Sequence, residues 1–267
     1  VVCEAIYFDA DVVFVVSGLN FHPIALDALR KIGVHAAAIL TESPYDDEPQ
    51  AEWASVYPGM TVFTNEVISA NKYLWNYIPH SYDPMVHRPV TPSGSCDVLM
   101  CGTGWPERQR LLESMSWDGI DLRLLGIWPD VNQDSPLFPF VHQACIDNLK
   151  MPEIYAGAKI CLNIHRGHPE ARSLNPRAYE VAACGAFQIS DYRQEIDAVF
   201  GDSVPVFTSA ADLEYLIRFY LTYDDERKFR SLVARERVFD CTFDERASGM
   251  IETIQRDIAM RRSEEFA

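Results

Sequence analysis

N-P-R-A-Y-E-V-A-A-C-G-A-F-Q-I-S-D, residues 175–191, decides the fold class. Asn175 suits a helix N-cap, Pro176 suits the first helical position, and Gly185 stops the helix expected over Pro176–Ala183. Ala186–Ile189 then reads as a strand. The small run Ala182-Ala183-Cys184-Gly185 lets that helix pack closely on a sheet. Just upstream, K-I-C-L-N-I (Lys159–Ile164) is a buried strand by length and apolar content. Strand, helix and strand in so short a span form a crossover unit, which requires parallel pairing.

The same alternation continues outward. Downstream lie a short strand at Val204–Phe207 and helices over Asp212–Tyr220, Glu226–Arg237 and Glu245–Arg261. Upstream, Asp97–Cys101 and Asp121–Leu125 read as strands, Glu107–Ser114 as a helix, and Ile154–Ala158 as part of another. Nearer the start, D-V-V-F-V-V-S (Asp11–Ser17) reads as a buried strand, His22–Ile32 as an amphipathic helix and Val34–Leu40 as a strand. Tyr45–Gln50 reads as loop, Ala51–Tyr57 as a short helix, and Thr61–Thr64 and Trp75–Ile78 as small strands. Residues 79–95 hold four prolines and little periodicity, as a linker does. We therefore expect two Rossmann-like α/β domains with parallel sheets facing a cleft. The N-terminal domain spans residues 1–88, the linker 89–95, the C-terminal domain 96–243 and a final helix 244–267. The first domain is short for such a half. A leading strand and helix are expected to be missing, through truncation or reduction, and the first residue is Val1 rather than Met.

The 267 residues carry 23 Lys and Arg against 39 Asp and Glu, a formal net charge of −16. This charge works against extensive contact with a nucleic-acid backbone, where binding depends on neutralising phosphates. No apolar run approaches the roughly 20 residues of a membrane span. Seven scattered cysteines, Cys3, Cys96, Cys101, Cys145, Cys161, Cys184 and Cys241, form no C-x-x-C pair. They imply a reducing, cytoplasmic setting and no zinc site.

Against that acidic background, residues 163–180 form a cationic island containing Asn163, His165, Arg166, His168, Arg172, Asn175 and Arg177, followed by Glu180. Such an island suits an anionic ligand; the alternative is a polar loop whose arginines pair locally. Cys101-Gly102-Thr103-Gly104 turns from a strand into a helix, where glycines and free N–H groups admit a phosphate, with Arg108 in the first helical turn. The alternative there is a tight turn with a solvated arginine. Glu180 reads as a hydroxyl-binding carboxylate or as a surface partner of Arg177.

The segment E-V-A-A-C-G-A-F-Q-I-S-D resembles the Glu-x-x-Ala-x-Gly segment of GT-B glycosyltransferases. The longer N-P-R-A-Y-E-V-A-A-C-G-A-F-Q-I-S-D is similar to the CgeB-like, spore-maturation glycosyltransferases, a group also common in phages. K-I-C-L-N-I-H-R, T-E-S-P-Y-D-D-E, V-F-T-N-E, Y-I-P-H-S-Y-D-P, D-L-E-Y-L-I-R-F-Y-L-T-Y-D-D-E-R and T-F-D-E-R extend the resemblance over residues 12–255. It implies transfer of a sugar from a nucleotide-sugar donor, a UDP-sugar as first expectation, to a protein, glycan or modified-nucleotide acceptor. For a phage-encoded member this would take place in the host cytoplasm. Glu180 would bind the ribose; Gly102, Thr103 and Arg108 would approach the diphosphate; Arg177 would neutralise it. Asn163 and His165 would lie near the sugar, Asn175 would cap the helix beside the donor, and His22 would face the acceptor as a candidate base. No metal or other cofactor is implied, and Asp9-Ala10-Asp11 is discounted as a metal motif. The chain departs from the retaining-enzyme pattern at Arg172, where the first of two glutamates would stand. A fold that keeps its shape as a binding or structural protein without turnover, and a nucleotide-sugar epimerase, remain as alternatives.

Overall fold

The computed structural model describes residues 1–143 and 146–265; Cys145 lies outside the described residues. The chain divides into two compact units. One comprises Val1–Pro79, His168–Ser173 and the chain from Asp244; the other comprises His80–Gly167 and Leu174–Phe243. Residues 80–95, which include the expected linker 89–95, fall in the second unit.

The first unit runs α1 (Val2–Tyr7), β1 (Val12–Val16), α2 (Pro23–Lys31), β2 (His35–Leu40), α3 (Asp47–Ser55), β3 (Thr61–Thr64), α4 (Val67–Tyr73) and β4 (Asn76–Tyr77). Its four strands are all parallel, in the order β1-β2-β3-β4. The β2 strand, H-A-A-A-I-L, is buried on both faces. Ala36, Ala38 and Leu40 pack with Leu26, Leu29 and Trp53, while Ala37 packs with Phe63 and Ile78. The β1 strand departs from the expectation of a fully buried strand. It lies at the sheet edge, with Val15 buried but Phe14 and Val16 exposed. Its β-branched run is the same whether one face or both are covered, which periodicity alone does not distinguish.

The second unit runs β5 (Cys96–Cys101), α5 (Pro106–Glu113), β6 (Leu122–Leu125), β7 (Val141–Gln143), α6 (Met151–Gly157), β8 (Ala158–Asn163), α7 (Pro176–Ala183), β9 (Gln188–Asp191), α8 (Gln194–Val199), β10 (Val206–Phe207), α9 (Ala210–Thr222) and α10 (Asp224–Arg237). Its six parallel strands lie in the order β10-β9-β8-β5-β6-β7. Helices cover both faces, so the strands read as nearly continuous apolar runs. Val98, Met100, Ile160 and Leu162 join one cluster, and Leu99 and Cys161 the other. The switch in strand order lies between β5 and β8, and ligands of open α/β sheets bind outside the carboxyl ends at such a point.

The last helix, α11 (Phe243–Glu265), returns to the first unit. Ile254 packs against Ala37, Phe63 and Ile78, and Thr61 donates to the Asp257 carboxylate at 2.7 Å. No helix among the described residues is long and apolar enough to cross a membrane.

Candidate functional site

The site is built at the carboxyl ends of β5, β6 and β8 in the second unit. After β5, the chain turns through Gly102-Thr103-Gly104 into α5. The loop is held from both sides: Gly102 N–H donates to Leu125 O at 2.8 Å, and Gly104 N–H to Ile127 O at 2.8 Å. The first turn of α5 secures the loop carbonyls. Arg108 donates to Thr103 O at 2.7 Å and Gln109 to Gly104 O at 2.7 Å. Arg108 is buried, so its charge lies beneath the loop and braces it.

Two glycines make this geometry. Gly102 has φ +136°, and a β-carbon there would stand 2.7 Å from Arg177 Nη2. Gly126, at the end of β6, has φ +106°, and a β-carbon there would stand 2.4 Å from the carbonyl oxygen of Gly102. The two backbones therefore touch, and the Arg177 guanidinium lies directly over Gly102.

Arg177 occupies the first turn of α7, whose boundaries match the sequence reading. Asn175 caps this helix through Oδ1 to Ala178 N–H at 3.1 Å and donates Nδ2 to Asn163 Oδ1 at 2.8 Å. Asn163 is fully buried. His165 accepts Asn175 N–H at Nε2, 3.1 Å, and its Nδ1 lies 2.6 Å from Asp191 Oδ1. Burial holds the His165 imidazole below its ordinary range, against the pull of Asp191. The neutral ring agrees with the geometry, because a ring that accepts at Nε2 carries its proton at Nδ1. Glu195 completes the brace, accepting from Leu174 N–H and, at 3.0 Å, from the Tyr179 hydroxyl. Asn163 and His165, expected near the sugar, thus hold the start of α7 in place. Both ring nitrogens of His165 are already engaged.

Glu180 lies one turn further along α7, with its side chain 18% exposed. Its Oε2 faces the Tyr155 hydroxyl of α6 at 3.4 Å, and its Oε1 lies 3.9 Å from Nε2 of His87. Burial raises the Tyr155 phenol well above its ordinary range, so it remains a donor. Arg177 and Glu180 both act electrostatically on Tyr155 and on Cys101 at the end of β5. Loop, guanidinium and carboxylate therefore share one locality. An anion fits beside Gly102, Thr103 and the Arg177 guanidinium, with a hydroxyl acceptor one helical turn away.

The cationic island does not persist as one patch. Arg166 stacks over the Trp105 ring at 4.6 Å, and Gly167 N–H donates to Glu107 at 2.8 Å. His168–Ser173, with Arg172, passes to the first unit. There, the Glu66 carboxylate accepts the backbone N–H groups of Arg172 and Ser173. His22, also in the first unit, caps α2 by accepting Ile24 N–H at Nδ1, 3.2 Å. Gly126, Tyr155 and His87 were not singled out from sequence. Only a glycine closing a strand signalled the first, and nothing local signalled the other two.

Solved structures share this architecture. Sucrose-phosphate synthase (tll1590) from Thermosynechococcus elongatus is similar with a TM-score of 0.68 at 12% identity, over 97% of this chain and 76% of that one. An alpha-glucosyltransferase in complex with UDP-glucose and DNA containing an abasic site gives 0.69 at 11% identity, over 95% and 83%. Anabaena Alr3699/HepE in complex with UDP and glucose gives 0.66 at 13%, over 98% and 80%. At such identities the likeness shows the fold, which is GT-B. No curated protein matches the sequence. The sequence itself carries the family: the model for "Glycosyl transferase-like" proteins matches residues 103–252, more than half of the chain. That span runs from the turn after β5 through α7 into α11, so the chain belongs to the glycosyl transferase-like family.

Proposed function

We propose that the protein transfers a sugar from a nucleoside diphosphate sugar, a UDP-sugar first, to an acceptor hydroxyl or amine. The bond from the anomeric carbon to the diphosphate oxygen breaks, a bond to the acceptor forms, and the acceptor's proton is released. Negative charge grows on the departing diphosphate. Arg177 and the Thr103 N–H stabilise it in this reading, with Arg108 bracing the loop from below. These groups are fixed before the reaction, so the donor's departure needs no metal. Glu180 accepts the ribose hydroxyls. The observation that carries this reading is the Glu180 carboxylate, buried on its inner side against Tyr155 one turn from the Arg177–Gly102 contact. Residues 159–166 and 175–191 lead us to place the chain with the CgeB-like members. The buried free thiols of Cys96, Cys161 and Cys184 suit a reducing cytoplasm. Several of the similar GT-B structures hold DNA; the −16 charge here works against comparable contact with a duplex.

The test is calorimetric titration with UDP and UDP-glucose, preceded by a thermal-shift screen of other nucleoside diphosphates and their sugars. Wild type binds, and Glu180→Ala weakens UDP by about 1–3 kcal/mol, the scale of a lost hydrogen bond to a charged group. If an intact fold binds no nucleoside diphosphate, the proposal fails. A binding protein without turnover is the second reading, favoured by Arg172 at the place of a carboxylate and by the fully engaged His165 ring. Release of UDP from a bound UDP-sugar, with or without acceptor, excludes it.

A further inference from the structure

The stretch that reads as a linker lies along α7. Asp83 turns the chain: its carbonyl accepts from His87 N–H at 2.7 Å, and its Oδ1 accepts from Met85 N–H at 2.8 Å. The next residues meet the helix in register. His87 lies against Glu180, the Arg88 N–H faces the Cys184 sulfur, and Pro89 stands 3.7 Å from where a β-carbon on Gly185 would be. Glu180 and Cys184 are one turn apart on one helix face.

His87 is anomalous in this setting. Its side chain is 2% exposed. Among the described residues, neither ring nitrogen has a hydrogen-bond partner. A buried polar atom left unmet is costly, so two on one ring call for a reason. An aromatic hydrocarbon would fill the same space without that cost. The nearest acceptor is Glu180 Oε1, at 3.9 Å. That is too long for a hydrogen bond, yet a movement of about 1 Å would make one. Hydrogen bonds in binding sites are often long before the ligand arrives and tighten in the complex.

The geometry points to His87 as a positioning residue for Glu180: Nε2–H donates to Oε1 on the buried side while Tyr155 donates to Oε2, turning the carboxylate's open lone pairs toward a ribose diol. This inference rests on Glu180 being the ribose anchor. His87 acts through Glu180 and does not touch the nucleotide.

Two ligands separate this role from a packing role. UDP and 2′,3′-dideoxyuridine diphosphate share the base and the diphosphate and differ in the diol. In calorimetric titration, His87→Phe lowers UDP affinity about 10–100-fold, the scale of one charge-assisted hydrogen bond, and leaves the dideoxy compound within about twofold. His87→Gln, which keeps an N–H of similar reach, recovers most of the loss. In a Glu180→Ala background, His87→Phe has no further effect on UDP. Equal losses for the two ligands, or no loss for UDP, overturn the role of His87 while Glu180 stands. If Glu180→Ala itself leaves UDP affinity unchanged, the ribose reading fails and His87 falls with it. Should His87→Phe not fold, His87→Asn, whose amide is too short to reach Oε1, takes its place against His87→Gln under the same criteria.

Discussion

Substituting Gly126 by alanine tests whether the turn after β5 is a fixed phosphate cradle. A β-carbon at position 126 would stand 2.4 Å from the Gly102 carbonyl oxygen. Ordinary contact begins about 1 Å further out. The obstacle is backbone on both sides, held by the Gly102–Leu125 hydrogen bond, so no side-chain rotation relieves it. The φ of +106° adds backbone strain of about 1–2 kcal/mol, and the forced separation about 1–3 kcal/mol more. Gly119→Ala supplies the control. Gly119 has φ +75° in the same unit, with nothing within 4 Å of its β-carbon position, so that substitution carries the strain without the collision. Urea denaturation should therefore show Gly126→Ala less stable than Gly119→Ala by about 1–3 kcal/mol. Displacing the loop by about 1 Å should also weaken UDP binding by roughly tenfold to a hundredfold, the sensitivity of preorganised sites to such a shift. Gly119→Ala should bind UDP as wild type does. If Gly126→Ala matches Gly119→Ala in stability and binds UDP within about twofold of wild type, the loop is neither fixed by Gly126 nor part of the cradle.

Acid and the Glu66 contacts give two further tests. Burial, with repulsion from His165, holds the His80 imidazole down at about 4, and burial also lowers His165. Both are neutral when folded and gain protons more readily when unfolded, where the ordinary value is 6.5. Their contribution is complete above that value and is lost as pH falls through it toward about 4. Urea midpoints should hold level above neutrality and decline across that window, with a shallower decline in His80→Gln; an unaltered slope in the variant removes His80 as a cause. Glu66 is 3% exposed and accepts backbone N–H groups from Ile68, Arg172 and Ser173. Glu66→Gln removes one acceptor face and should cost about 1–3 kcal/mol, with faster amide exchange at Arg172 and Ser173. Unchanged protection at those two amides would show that the carboxylate does not hold the segment.

The parts of the fold legible in sequence are those whose signal is local. Pro176–Ala183 is bounded by a cap, a proline and a glycine, and its limits coincide with the helix observed. The glycine turn after β5 announces itself in the same way. The helix α3 begins at Asp47, inside a stretch that reads as loop, because Pro49 suggests a break where it is in fact accommodated in the first turn. The helices α4 and α8 are short, with few apolar positions to set a period, and β7 follows a stretch without periodicity. Among the candidate site residues, Gly102 is marked by a strand-to-helix turn and Arg177 by a helix start, and Glu180 by the resemblance. His87 and Tyr155 are not marked, because each meets Glu180 from a distant part of the chain. Asn163, His165 and Asn175 stand out as a polar cluster, but sequence cannot show that their donors and acceptors are largely spent on one another.

The return of α11 to the first unit bears on the order in which the protein matures on the ribosome. Domains generally fold as they emerge, the N-terminal one first. Here the first unit lacks Ile254 against Ala37 and Phe63, and Asp257 for Thr61, until α11 has been made. The second unit, by contrast, has all its strands once Phe207 has been added. The sheet of the first unit is therefore finished after that of the second, and one face of it waits uncovered until α11 is made.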